Sequence, residues 1–277
     1  MTYPRLPLAY KDRFSFRLSA PSFIYPADYA TNARRLAPFI DEIELLLFES
    51  DPNALPSAAE IEQLAAIGNE TGVTYNVHLP IDADMTVTDA VTRRTAGDRL
   101  ATVIERVRPL RPTTHTVHLN RHPLDNRRPQ DPLAVWQADV TALMKGLMER
   151  TGLAPRALSV ETLDYPPEWF APVCEALDLA VCIDLGHLLR YGFDPQTVWR
   201  RFDGRITIVH LHGVHDGRDH LGLDALPAPQ LMELARLLRR FEGTVSLEVF
   251  AFERLKVSLE LLTETMDRIN AAGCVRR

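Results

Sequence analysis

The sequence is poor in cysteine, in positive charge and in long apolar runs. Three cysteines, an odd number without regular spacing, argue against a disulfide framework and against a zinc site built from cysteines. The formal net charge of −6 at pH 7 leaves no basic surface of the kind that neutralises nucleic-acid phosphates. Apolar runs such as Leu45 to Phe48 are far shorter than the roughly 20 residues of a membrane-spanning helix. Met1 to Arg13 lacks the apolar centre of a secretory signal, so we expect a cytoplasmic protein that binds neither nucleic acid nor membrane.

The chain contains enough apolar residues for one large core. Hydrophobic residues make up 46% of its 277 residues, and α/β barrels of this size commonly form one domain, so we predict a single domain over residues 1–277. Short β-rich runs alternate with amphipathic helical patterns along the whole length, which is typical of repeated βα units around a parallel sheet. The eight runs are Ser15–Ala20, Ile43–Glu49, Val73–Leu79, Thr114–Leu119, Ala157–Leu163, Leu179–Asp184, Arg205–His212 and Thr244–Phe250.

Eight strand–helix units predict an α/β fold of the (β/α)₈ TIM barrel type. The structural alternative is an open doubly wound sheet, but no glycine-rich phosphate loop follows the first strand. Helix ends are recognisable between the strands. Ser57 with Glu60 forms a capping box, Gly72 closes that helix, and Asp194 precedes a proline at the first helical position.

Alternation within the strands indicates which side chains enter the barrel. In the third run Thr74, Asn76 and His78 share one side and Val73, Tyr75 and Val77 the other, and the later runs repeat this pattern. If the apolar sets face the helices, an ionisable residue points inward near the carboxyl end of each of six strands, where barrel enzymes place their active sites. These residues are His78, His118, Glu161, Asp184, His210 and Glu248, with His187, His212 and His220 on the following loops or rim.

A crowded group of acids and imidazoles predicts a metal site. The stretch Leu179 to His187 shows the pattern best, because a buried strand ends in Asp184 and His187 follows three residues later. Taken alone, an Asp-x-Gly-His run is equally typical of a capped turn. The six strand ends carry almost no lysine or arginine that could balance their acids. Their ionisable side chains must therefore pair with one another or bind a cation to offset the cost of burial. Histidine with carboxylate suits zinc, manganese or iron.

The residues leave the number of ions open. Glu161, Asp184, His210 and Glu248 alone would satisfy one divalent ion of the kind that isomerises sugars. His78 and His118 could instead share Glu161 and hold a second ion, as in two-metal hydrolases. His187 and His220, with Asp219 or Asp216, could complete a third position.

Beyond these single residues, longer stretches of the chain resemble a known superfamily. They are Ser22 to Pro26, Leu46 to Ser50, Val77 to Asp82, Val160 to Pro166, Ile183 to Gly192, Val209 to Val214 and Leu247 to Phe250. Across essentially the whole chain they are similar to the xylose isomerase-like barrels, which include sugar isomerases, epimerases and the endonuclease IV group. Within that superfamily the chain most resembles the cobamide-remodelling phosphodiesterase (CbiR) family.

This resemblance implies hydrolysis of the phosphodiester in the nucleotide loop of a cobamide, a vitamin B12-type cofactor, to cobinamide phosphate and an α-riboside. It implies two or more divalent ions, Zn²⁺ or Mn²⁺, held by His78, His118, Glu161, Asp184, His187, His210, His220 and Glu248. Glu161, Glu248 and Glu49 are the predicted catalytic residues, with Glu49 contacting substrate or water unless it is a solvated rim acid. His212, Tyr25, Phe23, Tyr191, Asp219 and Phe250 are the predicted substrate contacts, the aromatic residues forming an apolar wall unless they merely anchor loops.

Two departures from the pattern bear on these expectations. In Arg218-Asp219-His220 the acid stands directly beside the histidine, whereas endonuclease-like sequences have Asp-x-His, which puts the third metal position in doubt. Thr162 follows Glu161 where related sequences often carry Asn, which alters a hydrogen bond to substrate. Arg121, Arg127 and Arg128 are alternatively phosphate contacts or a solvated loop.

Other functions remain open at this point. A single-metal sugar isomerase or epimerase would use Glu161 and Glu248 as an acid–base pair. A non-catalytic corrinoid-binding protein would keep the aromatic residues and tolerate loss of Glu161. A DNA repair endonuclease fits the acidic charge balance poorly. The small-molecule substrate suits either a monomer or a homodimer.

Overall fold

The computed structural model describes residues 3–87, 89–121 and 132–274. Its barrel strands are β1 (Arg17–Pro21), β2 (Glu42–Leu46), β3 (Thr74–His78), β4 (His115–Val117), β5 (Leu158–Glu161), β6 (Ala180–Asp184), β7 (Ile206–Leu211) and β10 (Thr244–Leu247). All pair in parallel in the closed order β1-β10-β7-β6-β5-β4-β3-β2, which confirms the predicted (β/α)₈ barrel. Between β7 and β10 lies an antiparallel pair that was not predicted, β8 (Gly213–His215) with β9 (Arg218–Leu221).

Helices surround the barrel, and two of them begin or end at caps that the sequence predicts. They are α1 (Tyr29–Leu36), α2 (Ala58–Thr71), α3 (Ala90–Val107), α4 (Pro132–Thr151), α5 (Ala171–Leu177), α6 (Leu185–Tyr191), α7 (Pro195–Arg201), α8 (Ala228–Leu238) and α9 (Phe252–Cys274). The Ser57–Glu60 capping box starts α2, Gly72 ends it in the left-handed conformation, and Asp194 caps α7. None of the helices in the described ranges is long and apolar enough to cross a membrane.

The hydrophobic core lies between the strands and the helices. Outward-facing strand residues such as Ile43, Val77 and Val160 are fully buried there. The interior of the barrel is polar instead. Asn76 on β3 donates to the Ser19 hydroxyl on β1 at 3.2 Å, across the barrel interior. This confirms the prediction that Asn76 faces inward. The apolar layer therefore holds the helices on the barrel, and the interior carries the chemistry.

The polar interior includes two buried glutamates, Glu42 and Glu44, that were not predicted to face inward. Glu42 accepts hydrogen bonds from Asn76 at 2.8 Å and from Thr113 and Thr244, each at 3.0 Å, near the amino ends of the strands. Glu44, one level nearer the mouth, accepts from Ser246 Oγ at 2.6 Å. The predicted second strand began at Ile43, whereas β2 begins at Glu42. Glu42 and Glu44 alternate with the outward-facing Ile43, so the inward side of β2 is acidic.

Candidate metal centre

Six predicted side chains stand at the carboxyl ends of six different strands. His78, Glu161 and Asp184 are the last residues of β3, β5 and β6. His118 and Glu248 come one residue after β4 and β10, and His210 is the penultimate residue of β7. Because parallel barrel strands end at one rim, residues separated by some 170 positions of sequence meet at a single mouth.

Glu161 is the centre of this group. Its Oε2 lies 3.0 Å from Nε2 of His78 and 3.1 Å from Nε2 of His118. Its Oε1 lies 3.4 Å from Nδ1 of His187 and 3.6 Å from Nδ1 of His210. One carboxylate, 1% exposed, therefore faces two separate pairs of imidazoles.

Burial and charge oppose each other in this group. Burial raises the pKa of Glu161, but His118 and His210 outweigh it and hold that pKa well below its usual value. Burial lowers the pKa of His78, but its hydrogen bond to Glu161 and the charge of Glu161 raise it to about 9. Glu161 is therefore ionised near neutral pH, as a metal-ligating carboxylate must be.

Asp184 joins the strand end to the next helix. Its Oδ1 caps α6 by accepting from the His187 N–H at 2.7 Å, and its Oδ2 lies 3.2 Å from Nδ1 of His187. On its other side Nε2 of His212 lies 3.1 Å from Oδ1. The hydroxyl of Thr162 accepts from the Asp184 N–H at 2.9 Å, so this side chain positions the strand end instead of facing the mouth. Gly186 is required here, because a Cβ at that position would lie 2.0 Å from the His212 ring.

His210 is surrounded by carboxylates. Its Nδ1 lies 3.2 Å from Glu248 Oε2, 3.6 Å from Glu161 and 3.9 Å from Asp184, and its Nε2 lies 3.0 Å from Glu44 Oε1. These distances are short, yet both ring nitrogens, Glu44 Oε1 and Glu248 Oε2 make no hydrogen bond. All four atoms are buried, so the protein alone leaves them unsatisfied at a substantial energetic cost.

A third group consists of imidazoles. Ligand nitrogens of His187, His212 and His220 lie within 4.8 Å of one another. His220 has a left-handed φ of 50°, and its N–H donates to Nδ1 of His212 at 3.0 Å. Asp219 points elsewhere and pairs with Arg190. Because Asp219 and His220 are adjacent, their side chains point in different directions. His220 therefore lies beside His212, and Asp219 pairs with Arg190 instead of joining the imidazoles.

This donor set fits divalent metal. Groups of three ligand atoms within 4.8 Å also include His78, His118 and Glu161, and Glu161, Asp184 and His187. The orphaned buried atoms around His210 supply unused ligand positions directly beside them. Among the described residues that line the cavity, no lysine or arginine is present to balance the acids. Imidazole and carboxylate together are the ligands that Zn²⁺ and Mn²⁺ use in proteins.

The cavity above these ligands has one apolar side. Its volume is about 150 Å³, and Leu46, Leu47, Phe48, Ile81 and Phe250 line it opposite the histidines and acids. Aromatic rings continue along the rim, with Phe48 lying 5.3 Å from Phe23 and 6.1 Å from Phe250, and Phe250 lying 4.8 Å from His220. We call Phe23, Phe48, Ile81 and Phe250 the apolar rim.

Of the predicted substrate contacts, Phe250 lines the cavity and six other predicted contacts do not. Phe23 packs on Phe48 beside the cavity, His212 is fully buried against Asp184, and Asp219 pairs with Arg190.

The other three are Glu49, Tyr25 and Tyr191. Glu49 follows the end of β2 by three residues, is exposed, and is not a lining residue. Tyr25 is 3% exposed and donates its hydroxyl to Pro4 O at 3.0 Å, so it anchors the amino-terminal segment. Tyr191 stands at the edge, 40% exposed, with its ring 6.1 Å from that of His187. Arg127 and Arg128 lie outside the described residues.

Sequence reasoning missed Glu44, Phe48 and Ile81. Glu44 could have been found from the acidic alternation Glu42-Ile43-Glu44 at the start of β2. Phe48 and Ile81 carry no such signal, because only the ends of β2 and β3 decide that their side chains meet above the ligands.

The family described as xylose isomerase-like TIM barrel matches residues 39–270 of the chain. No curated protein sequence matches it. Among solved structures, a D-tagatose 3-epimerase-like protein superposes with a TM-score of 0.74 at 16% identity, over 93% of this chain and 99% of the other. Endonuclease IV from Thermus thermophilus gives 0.69 at 18% identity, over 90% and 99%. D-psicose 3-epimerase from Clostridium cellulolyticum gives 0.63 at 16% identity, over 94% and 99%. At these identities the likeness is one of fold.

Proposed function

Since the chain belongs to the xylose isomerase-like TIM barrel family, we propose that it is a metal-dependent phosphodiesterase that hydrolyses the nucleotide-loop phosphoester of cobamides. The products are cobinamide phosphate and an α-riboside, which allows the cofactor to be rebuilt with another base. The observation that carries this proposal is the position of Glu161, whose two oxygens face different pairs of imidazoles at 3.0 to 3.6 Å. A carboxylate shared in this way suits two or more ions, and hydrolysis of phosphoesters is a usual task of such sites.

The chain's own residues hold and orient the reacting groups. His78, His118 and Glu161 would hold one Zn²⁺ or Mn²⁺. Asp184, His210 and Glu248, together with the shared Glu161, would hold another. His187 and His220, two members of the third group of imidazoles, would supply further ligands. Such ions supply an activated water and neutralise charge on phosphoryl oxygens. Glu161 and Glu248, 1% and 4% exposed, are kept from bulk water, so their charges are only weakly screened.

The apolar rim supports a large substrate that is only partly polar. A volume of about 150 Å³ is below the roughly 300 to 1,000 Å³ of most small-molecule sites, so the cavity takes the reacting group and the remainder lies over the rim. Phe48 and Ile81 are 43% and 46% exposed there, which suits contact with a ring system such as a corrin or a lower base. A polynucleotide would instead require cations along the mouth.

One observation favours a second function, that of a single-metal sugar epimerase or isomerase. Nδ1 of His210 lies within 3.2 to 3.9 Å of Glu248, Glu161 and Asp184, the set that one ion needs. Two of the solved structures described above are named as epimerases or epimerase-like. In this alternative Glu161 and Glu248 move a proton, and His78 with His118 hold no metal.

The experiment that separates these functions uses purified, metal-loaded protein with a cobamide and, in parallel, with ketohexoses. Mass spectrometry should detect cobinamide phosphate and the α-riboside, and sugar analysis should detect no epimer. Intact cobamide together with sugar turnover would replace the first function by the second. Binding of the cobamide without any product would indicate a corrinoid-binding protein.

Variants then assign the metal positions. Replacing both His78 and His118 by Gln should remove metal and stop cobamide hydrolysis. The exposed Glu233→Gln on α8 provides a matched control that leaves both unchanged. Full hydrolysis by the His78→Gln, His118→Gln double variant would contradict the two-ion assignment.

A further inference from the structure

We propose that Glu44 is a positioning residue of the metal centre, which acts from inside the barrel through His210. Glu44 lies on the side of His210 away from the mouth, with Oε1 3.0 Å from Nε2. The other ring nitrogen, Nδ1, faces Glu248 and Glu161 at 3.2 and 3.6 Å. The inference rests on the metal centre of the proposed function and not on its substrate.

Glu44 is itself fixed by the barrel. It is inward on β2 and fully buried, and Ser246 on β10 donates to its Oε2 at 2.6 Å. Ser246 is paired in register with His210 on β7. Three strands of the barrel wall therefore define where Oε1 stands relative to the imidazole.

An imidazole ligates through one nitrogen while the other carries the proton. A carboxylate beside Nε2 keeps the proton on that atom and leaves the lone pair on Nδ1, the nitrogen that faces the acids of the mouth. Without an ion, Glu44 Oε1 and both nitrogens of His210 are orphaned. An ion on Nδ1 would give that nitrogen the partner it lacks, and the 3.0 Å approach of Oε1 to Nε2 would then hold the ligating ring in place.

The neighbouring acid on the same strand shows what a structural glutamate looks like here. Glu42 faces inward two residues earlier and is also fully buried. Its oxygens accept from Asn76, Thr113 and Thr244, and from Thr74 at 2.7 Å. Among the described residues, Glu44 has one hydroxyl donor, Ser246, and its remaining oxygen faces His210. Glu42 is thus a matched control on the same strand and the same face.

The test measures metal affinity in the absence of any substrate. Metal-free wild type, Glu44→Gln, Glu42→Gln and Ser246→Ala are titrated with Zn²⁺ and Mn²⁺ against a competing chelator. Loss of a carboxylate behind a ligating histidine typically weakens binding by about 10- to 100-fold, so we expect this for Glu44→Gln. Ser246→Ala should weaken binding less and in the same direction. Glu42→Gln should lower the melting temperature and leave the affinity unchanged.

A second readout is specific to the role of Glu44. In the wild type, ¹⁵N chemical shifts of His210 in the metal-loaded protein should identify Nε2 as the protonated atom, and Glu44→Gln should disturb this assignment. Should Glu44→Gln fail to fold, the affinity and ¹⁵N shifts of Ser246→Ala decide the question.

Three outcomes would overturn the inference. They are wild-type affinity in both Glu44→Gln and Ser246→Ala, an equal loss of affinity in Glu42→Gln, and absence of metal binding by the wild type. Glu44-dependent metal affinity in a protein that leaves cobamides intact would retain this inference and reject the proposed function.

Discussion

Replacing Glu161 by Gln tests the centre of the site with little change in shape. The amide has nearly the same size, keeps one acceptor oxygen and loses the negative charge. In the native protein that charge faces His78 and His118 through one oxygen and His187 and His210 through the other. The single acceptor oxygen of the substituted amide can serve at most one of these pairs.

The effect on His78 can be worked out from the structure. Burial lowers the pKa of His78, and Glu161, by its hydrogen bond and its charge, raises it to about 9. Removing the charge of Glu161 leaves the burial and the weaker effect of Glu248 in place, so the pKa of His78 should fall. The rise from 6.5 to about 9 corresponds to about 3 kcal/mol of net stabilisation of protonated His78 by its surroundings, in which Glu161 is the largest favourable contributor. In the metal-free protein this stabilising contribution is present below pH 6.5 and is lost as the pH rises through about 9.

The assay is an NMR titration of the His78 ring in metal-free wild type and Glu161→Gln, followed by metal titration of both. Loss of a direct ligand should cost more than the roughly 10- to 100-fold that an outer partner of a ligand costs, so we expect affinity to fall by at least about 100-fold. Hydrolysis should be lost with it. The reasoning is refuted if His78 titrates alike in both proteins, or if Glu161→Gln retains full activity.

Four further predictions concern other parts of the molecule. A chelator should abolish turnover while the far-UV circular dichroism stays unchanged, because the ligands line a mouth and the apolar layer holds the barrel; loss of the spectrum would contradict this. Phe48→Ala should raise KM for a cobamide roughly fivefold with kcat unchanged in steady-state assays, since covering its 43% exposed surface contributes about 1 kcal/mol; an unchanged KM would remove Phe48 from substrate contact. Gly186→Ala should lower the free energy of unfolding by about 1–3 kcal/mol, because its Cβ meets the His212 ring; an undisturbed melting temperature would count against the placement of His212. Burial lowers the pKa of His115 to about 4, so neutral His115 contributes about 3 kcal/mol to the free energy of unfolding above pH 6.5, and this is lost as the pH falls toward 4. In urea unfolding, the stability of His115→Gln should therefore depend less on pH than that of the wild type. The same pH dependence in both proteins would contradict this.

The sequence predicted the barrel and most of the mouth because both depend on local periodicity. Alternation in a strand determines which residues face inward, and the closure of parallel strands brings their carboxyl ends together. His78, Glu161 and Asp184 were placed at strand ends, and they are the last residues of their strands.

What the sequence could not predict depends on where a strand begins and where a loop turns. A start at Glu42 rather than Ile43 adds one more acid to the barrel interior, and an end at Leu46 leaves Glu49 outside the cavity. Tyr25 was taken for a rim aromatic, but packing against Tyr3 and Phe252 turns it away from the mouth. These outcomes depend on tertiary contacts that no local pattern contains.

The pairing of β1 with β10 has a consequence for the order in which the protein matures. Glu248 reaches the centre only when the final strand joins β1 and β7, whereas His210 is already held beside Asp184 by the pairing of β6 with β7. A nascent chain that lacks β10 therefore lacks one of the proposed ligands. If the proposed ion beside His210 is bound, its full set of ligands would therefore form after synthesis of β10, and binding of a spectroscopically visible ion there would report closure of the barrel.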